Sequence, residues 1–263
     1  MQYKQIKVSS LVNKFTHKDI LFSGAYSIDP YQNCEFGCLY CDSSFDKTIY
    51  IKSNAAEIFK KELKNLKNGR IIVGSVHDPY QNAEKQYKLT RSLLKIIKEY
   101  GFPCHILTKS YLLIRDLDVI SSMDQCYVTI SLSSLNPNVY NVFEKNVQLP
   151  EIRLNIVKKL VENGVQSGIA IIPVIPYLLD DELEDVIVLA RKQKAQYILL
   201  KHLELKGDQK NCFMEILQRK FPDIVQKFQK LYKSSYIPDE SYISTLNNTF
   251  EKLCRKHNIK NKI

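Results

Sequence analysis

Three of the seven cysteines in this 263-residue chain fall within one short stretch, Cys34-Glu35-Phe36-Gly37-Cys38-Leu39-Tyr40-Cys41. The spacing C-x3-C-x2-C sets three soft thiolate donors on one turn, and Gly37 permits the sharp bend this needs. Structural zinc sites and ordinary ferredoxin clusters want four protein ligands. His17, His77 or a distant cysteine can supply the fourth, so zinc stays open, although no second C-x2-C pair exists. A [4Fe–4S] cluster held by only three cysteines leaves one iron free for a chelating ligand. A disulfide framework is not expected in a chain of this size with an odd cysteine count.

The elements that position this turn alternate between buried strands and amphipathic helices. The first strand ends in Ala25-Tyr26-Ser27-Ile28, directly before the cysteine loop. A helix is predicted over 54–66, with Asn54 and Glu57 at capping-box spacing. Strands follow at 70–74, 104–108, 127–132, 168–172 and 196–200, and helices at 83–100, 112–123, 150–163 and 181–194. Continuous apolar strands alternating with helices imply a parallel sheet covered by helices. Six such repeats predict an α/β fold, a partial (β/α)6 TIM-type barrel, with chemistry at the C-terminal ends of the strands. The expected organisation is an N-terminal segment 1–20, a core domain 21–206 and a short, mainly helical C-terminal extension 207–263.

The composition is that of an ordinary globular protein, with 44% hydrophobic and 25% charged residues. Neither a membrane span nor a secretory signal is expected, and a cytoplasmic location is. The net charge of +10 is concentrated at the ends, with +3 over residues 1–20 and +6 over 201–263. A basic surface attracts polyanions, nucleic acid above all. The alternative is a solvated lysine-rich surface with no bearing on partners.

The cysteine turn on a (β/α)6 chain, with Tyr40 before the last cysteine, resembles the radical S-adenosylmethionine (SAM) superfamily. The segments Asp29-Pro30-Tyr31-Gln32-Asn33-Cys34, Gly74-Ser75-Val76-His77-Asp78-Pro79-Tyr80-Gln81 and Leu107-Thr108-Lys109-Ser110 are similar to its spore-photoproduct-lyase-like branch, often called DNA repair photolyase-like. So are Arg115-Asp116-Leu117-Asp118 and Pro173-Val174-Ile175-Pro176. The resemblance covers roughly residues 20–205. It implies that Cys34, Cys38 and Cys41 hold a [4Fe–4S] cluster whose open iron binds SAM. Reductive cleavage then yields a 5′-deoxyadenosyl radical for hydrogen abstraction, with flavodoxin or ferredoxin as electron donor and nucleic acid as substrate. A peptide or small metabolite is the rival substrate, and a non-enzymatic zinc or nucleic-acid-binding module the rival class.

By the same resemblance Tyr40 packs near the adenine, and Ser75, His77 and Asp78 meet the amino end of SAM. Lys109 faces the SAM carboxylate or a substrate phosphate. Thr129, Ser131 and Ser133 share one strand face, from which they can hydrogen-bond ribose hydroxyls. Glu144 and Arg153 match a recurring pair, with Arg153 expected at the SAM carboxylate. The alternatives are a tied-down turn for His77 and Asp78, a solvated lysine, and a surface ion pair. Cys104 and Cys126 are expected in the core. One feature departs from the branch: its lyase uses a cysteine near the second strand as hydrogen donor, and here Ser75 holds that position. Tyr31, Tyr80 or a cysteine of the extension are the remaining candidates for that role.

Overall fold

The computed structural model of the protein describes residues 1–17, 19–44 and 46–263. Six parallel strands stand in consecutive order: β3 (Tyr26–Ile28), β6 (Ile71–Val73), β7 (Cys104–Thr108), β8 (Cys126–Ser131), β9 (Gln166–Val174) and β10 (Ile198–His202). They are the six strands the apolar runs predict. Strand β2 (Val12–Lys14) adds antiparallel to the β3 edge. A second, three-stranded sheet runs in the order β1 (Gln2–Ile6), β5 (Thr48–Lys52), β4 (Tyr31–Gln32). Residues 1–20 therefore contribute strands to both sheets.

The helices are α1 (Ala55–Leu63), α2 (Ala83–Tyr87), α3 (Leu89–Glu99), α4 (Leu117–Ile120), α5 (Pro137–Phe143), α6 (Pro150–Glu162) and α7 (Leu183–Lys192). The extension holds α8 (Asp208–Lys220), α9 (Val225–Leu231) and α10 (Glu240–Lys256). After α10 the chain returns to the sheet, where Ile198 N donates to Lys260 O at 2.8 Å. The extension is thus mainly helical, as expected, and packs on the core.

Several boundaries differ from the sequence reading, each for a tertiary reason. The helix expected over 83–100 breaks at Lys88, whose φ is 52°. The break lets the buried Glu84 carboxylate accept from Thr90 N at 2.9 Å and cap α3. Asn54 makes no cap. Its side-chain amide instead pairs with both backbone groups of Val8, at 2.9 Å each. The helix expected over 112–123 starts as a 3-10 turn, Tyr111–Asp116, before α4. There the buried Asp116 is held by Arg91 at 2.9 Å and Arg115 at 2.8 Å.

Alternation along the strands divides the core. Ile71, Val73, Ile169 and Ile171 face the helices in the larger apolar cluster. Phe22, Ile72, Ala170, Tyr197 and Leu199 form a smaller cluster on the inner face. Gly168 is required there, because a Cβ would lie 2.3 Å from the Tyr197 carbonyl oxygen. Cys104 and Cys126 are register partners on β7 and β8, both buried.

His105 also lies on the inner face, fully buried and stacked on Phe22 with ring centroids 4.4 Å apart. Its Nε2 meets Thr129 Oγ1 at 2.7 Å, and Nδ1 has no partner. Burial, reinforced by the Arg70 charge, pulls its pKa from 6.5 down to about 3. Below pH 6.5 the unfolded chain therefore takes up a proton that the folded chain refuses. Stability falls with pH across that window, by about 1.4 kcal/mol per pH unit. Urea midpoints at pH 7 and pH 5 check this: His105→Gln is expected to lose less on acidification than the parent. Equal losses would contradict it.

Candidate active site

The cysteine loop is closed like a hairpin, because β4 before it pairs antiparallel with β5 after it. Asn33, at φ 67°, turns the chain and its side-chain amide donates to Thr48 O at 2.8 Å. Gly37 takes φ 61°, the left-handed bend its position predicts. Glu35 anchors the loop from below, accepting from Ala83 N at 2.7 Å and from the Tyr3 hydroxyl at 3.0 Å. Leu39 N donates to Phe143 O at 3.0 Å, tying the loop to α5. From the extension, the Gln209 amide donates to the Tyr40 carbonyl. The loop is thus bound to β1, α2, α5 and α8 before any ligand is considered.

Cys34, Cys38 and Cys41 line one cavity of about 100 Å³ at the C-terminal ends of β6, β7 and β8. Ser75, His77 and Asp78 form its second wall, and Lys109, Ser131 and Tyr40 its third. Nine of the residues singled out from sequence thus meet in one place. Glu144 and Arg153 lie behind Tyr40 and Ser131.

Asp78 is the tied-down turn of the alternative reading. Its carboxylate accepts from Thr108 Oγ1 at 2.6 Å, Lys109 N at 2.7 Å and Tyr80 N at 2.9 Å, joining the β6 and β7 loops. Burial raises its pKa, and these bonds oppose the rise. Sequence reasoning passed over Asp29, which organises the second wall. It accepts from Ser75 Oγ at 3.0 Å and from Val76 N and His77 N at 3.1 Å each. The signal was the Asp-Pro step leaving the first strand. Burial lowers the His77 pKa, and the nearby Asp29 carboxylate opposes the shift.

Lys109 is no solvated loop lysine, since its side chain is only 16% exposed. Its Nζ donates to Ser131 Oγ at 2.7 Å. Arg153 and Glu144 are likewise no surface pair, each side chain being 1% exposed. Arg153 donates to Glu144 Oε2 at 2.6 Å and to the Ser131 carbonyl at 2.9 Å. The guanidinium therefore braces the wall from behind Ser131. The Tyr40 hydroxyl donates to Glu144 Oε1. Burial works to raise the Glu144 pKa, yet Arg153, Lys109 and Tyr40 hold it below the usual carboxylate range.

Of the radical-relay candidates, Tyr31 and Tyr80 are buried outside the cavity, with the Tyr31 hydroxyl donating to Glu84. Cys254 lines a different cleft, beside Lys260. A neighbouring cleft of about 260 Å³ shares Tyr40, Cys41 and Lys109 with the first and extends to Lys201, His202 and Lys206. Glu204 sits between the two outer lysines, at 2.8 and 2.9 Å.

The donor set fits an iron–sulfur cluster. Three thiols face one cavity, and the Asp78 carboxylate beside them is occupied by its own donors. Burial pushes the Cys34 thiol up to about 12 and also raises Cys38, so loading must displace protons.

A loop of three cysteines thus stands at the mouth of six parallel strands. The chain belongs to the radical SAM superfamily, whose family model matches residues 28–190. That family implies an iron–sulfur cluster and SAM. An uncharacterised protein of Mycobacterium tuberculosis (strain ATCC 25618 / H37Rv) is 26% identical, over 98% of this chain and 81% of its own. One from Methanocaldococcus jannaschii is 29% identical, over 86% of each chain. Among solved structures, spore photoproduct lyase complexed with dinucleoside spore photoproduct superposes with a TM-score of 0.74. The match has 17% identity and covers 97% of this chain and 79% of the lyase. A lyase variant with bound AdoMet and the dinucleoside gives 0.71 at 17% identity, over 89% and 74% of the two chains. The fold is thus spore-photoproduct-lyase-like. Among the described residues, no helix is long and apolar enough to cross a membrane.

Proposed function

We propose that Cys34, Cys38 and Cys41 hold a [4Fe–4S] cluster with one iron open to SAM, and that the substrate is a nucleic acid. The observation that carries the cofactor reading is the meeting of three thiols with Ser75, His77, Lys109 and Ser131 in one cavity. When bound, cluster and SAM supply a 5′-deoxyadenosyl radical that abstracts hydrogen from the substrate. The chain's own residues bind and orient. Asp29 fixes the Ser75 hydroxyl and the His77 backbone at the wall where the amino end of SAM is expected. Lys109 offers a cation to the SAM carboxylate or to a substrate phosphate. Ser131 holds that cation in place, and Tyr40, pinned by Glu144, gives the adenine an aromatic surface.

The nucleic-acid reading is supported by Lys201 and Lys206 along the neighbouring cleft, and by the dinucleoside bound in the similar lyase. The reductant is a low-potential electron carrier such as flavodoxin or ferredoxin. The anaerobically reconstituted protein, given dithionite and SAM, is expected to release 5′-deoxyadenosine. Adding DNA or RNA should accelerate release, less so as salt rises. A protein that holds four irons yet yields no 5′-deoxyadenosine contradicts the cofactor reading. Acceleration by a peptide or small metabolite, and none by nucleic acid, contradicts the substrate reading.

A further inference from the structure

Among the described residues, Lys109 is the single permanent cation lining the cysteine cavity. It enters directly after β7, and its backbone N–H is fixed by Asp78 at 2.7 Å. The ammonium makes one hydrogen bond among the described residues, to Ser131 Oγ at 2.7 Å, and lies 5.9 Å from the Tyr40 ring centroid. Glu144, the nearest carboxylate, is 4.0 Å away and already engaged by Arg153 at 2.6 Å. Lys109 is thus held, largely buried, with its charge only partly offset. The cavity beside it is where negative charge accumulates. Three thiolates bring it in, and one electron from an external low-potential donor adds one unit more.

We propose that Lys109 sets the reduction potential of the cluster, its fixed charge favouring the one-electron-reduced state. The proposal rests on the three-cysteine reading above. Cluster potentials follow local net charge, hydrogen bonding and solvent exposure. A charge in a poorly solvated wall acts far more strongly than one in water. Ser131 and Asp78 are positioning residues for the ammonium. Glu144 works in the opposite direction, since its negative charge tempers the cation.

Redox titration of the reconstituted holoenzyme, followed by the EPR signal of the reduced cluster and run without SAM, tests this. Lys109→Gln is expected to disfavour reduction at least tenfold, a midpoint lower by about 59 mV for one electron. Lys109→Arg should stay close to the parent. Glu144→Gln should move the midpoint up, a sign that general damage to the wall would not produce. A Lys109→Gln midpoint equal to the parent's overturns the proposal. Should that variant fail to retain iron, Glu144→Gln decides, and a midpoint at or below the parent's overturns it. If the parent itself takes up no cluster, the three-cysteine reading is what fails.

Discussion

Arg153→Met is expected to lower the unfolding free energy by about 3–5 kcal/mol, the loss typical when one partner of a buried ion pair is removed. Methionine approximates the length of the arginine stem and leaves little cavity, so the cost comes from charge. Glu144 is left almost wholly buried, with its strongest partner at 2.6 Å gone. The remaining cation, Lys109, is 4.0 Å away. The Ser131 carbonyl also loses the donor it had at 2.9 Å. Adding Glu144→Gln to Arg153→Met removes the stranded charge and is expected to recover part of the loss. Denaturant midpoints of the parent, the single and the double variant check this. A single variant within about 1 kcal/mol of the parent, the range of surface pairs, would contradict the assignment of a buried brace.

The same pair shows where sequence reading stops. Glu144 and Arg153 lie nine positions apart in chain order, and that spacing cannot tell an exposed pair from one sealed behind a strand. Their burial depends on Ser131 and Tyr40, which come from other elements. The six parallel strands were legible because strands covered on both faces are written as continuous apolar runs. The cysteine trio was legible because its geometry is local. By contrast, β1 carries four exposed residues in five and no apolar periodicity. It is defined by pairing with β5, more than forty positions away. The break at Lys88 needs Glu84 turned inward, where Arg115 meets it at 2.5 Å. No local pattern announces that partner. Gln209, reaching the Tyr40 carbonyl from the extension, is invisible for the same reason. Asp29 is the instructive omission. A carboxylate just past a barrel strand stood in view, but its value lay in three donors contributed by a loop far along the chain.

Replacing Cys34, Cys38 and Cys41 together by alanine is expected to abolish cluster loading while leaving the fold intact. Two of the three thiols are buried and one partly exposed, and the loop is held without them by Glu35, Leu39 and Gln209. The loss should therefore appear in metal content and in 5′-deoxyadenosine formation, with circular dichroism unchanged. Single replacements should also be severe, because a cluster needing an open iron has no spare protein ligand to lose.

Iron and sulfide content after anaerobic reconstitution, measured side by side for the parent and this triple variant, tests the central claim most directly. Close to four irons and four sulfides are expected per parent chain, and essentially none in the variant. Equal iron and sulfide in the two proteins would contradict it, as would a parent that takes up a single zinc in place of iron.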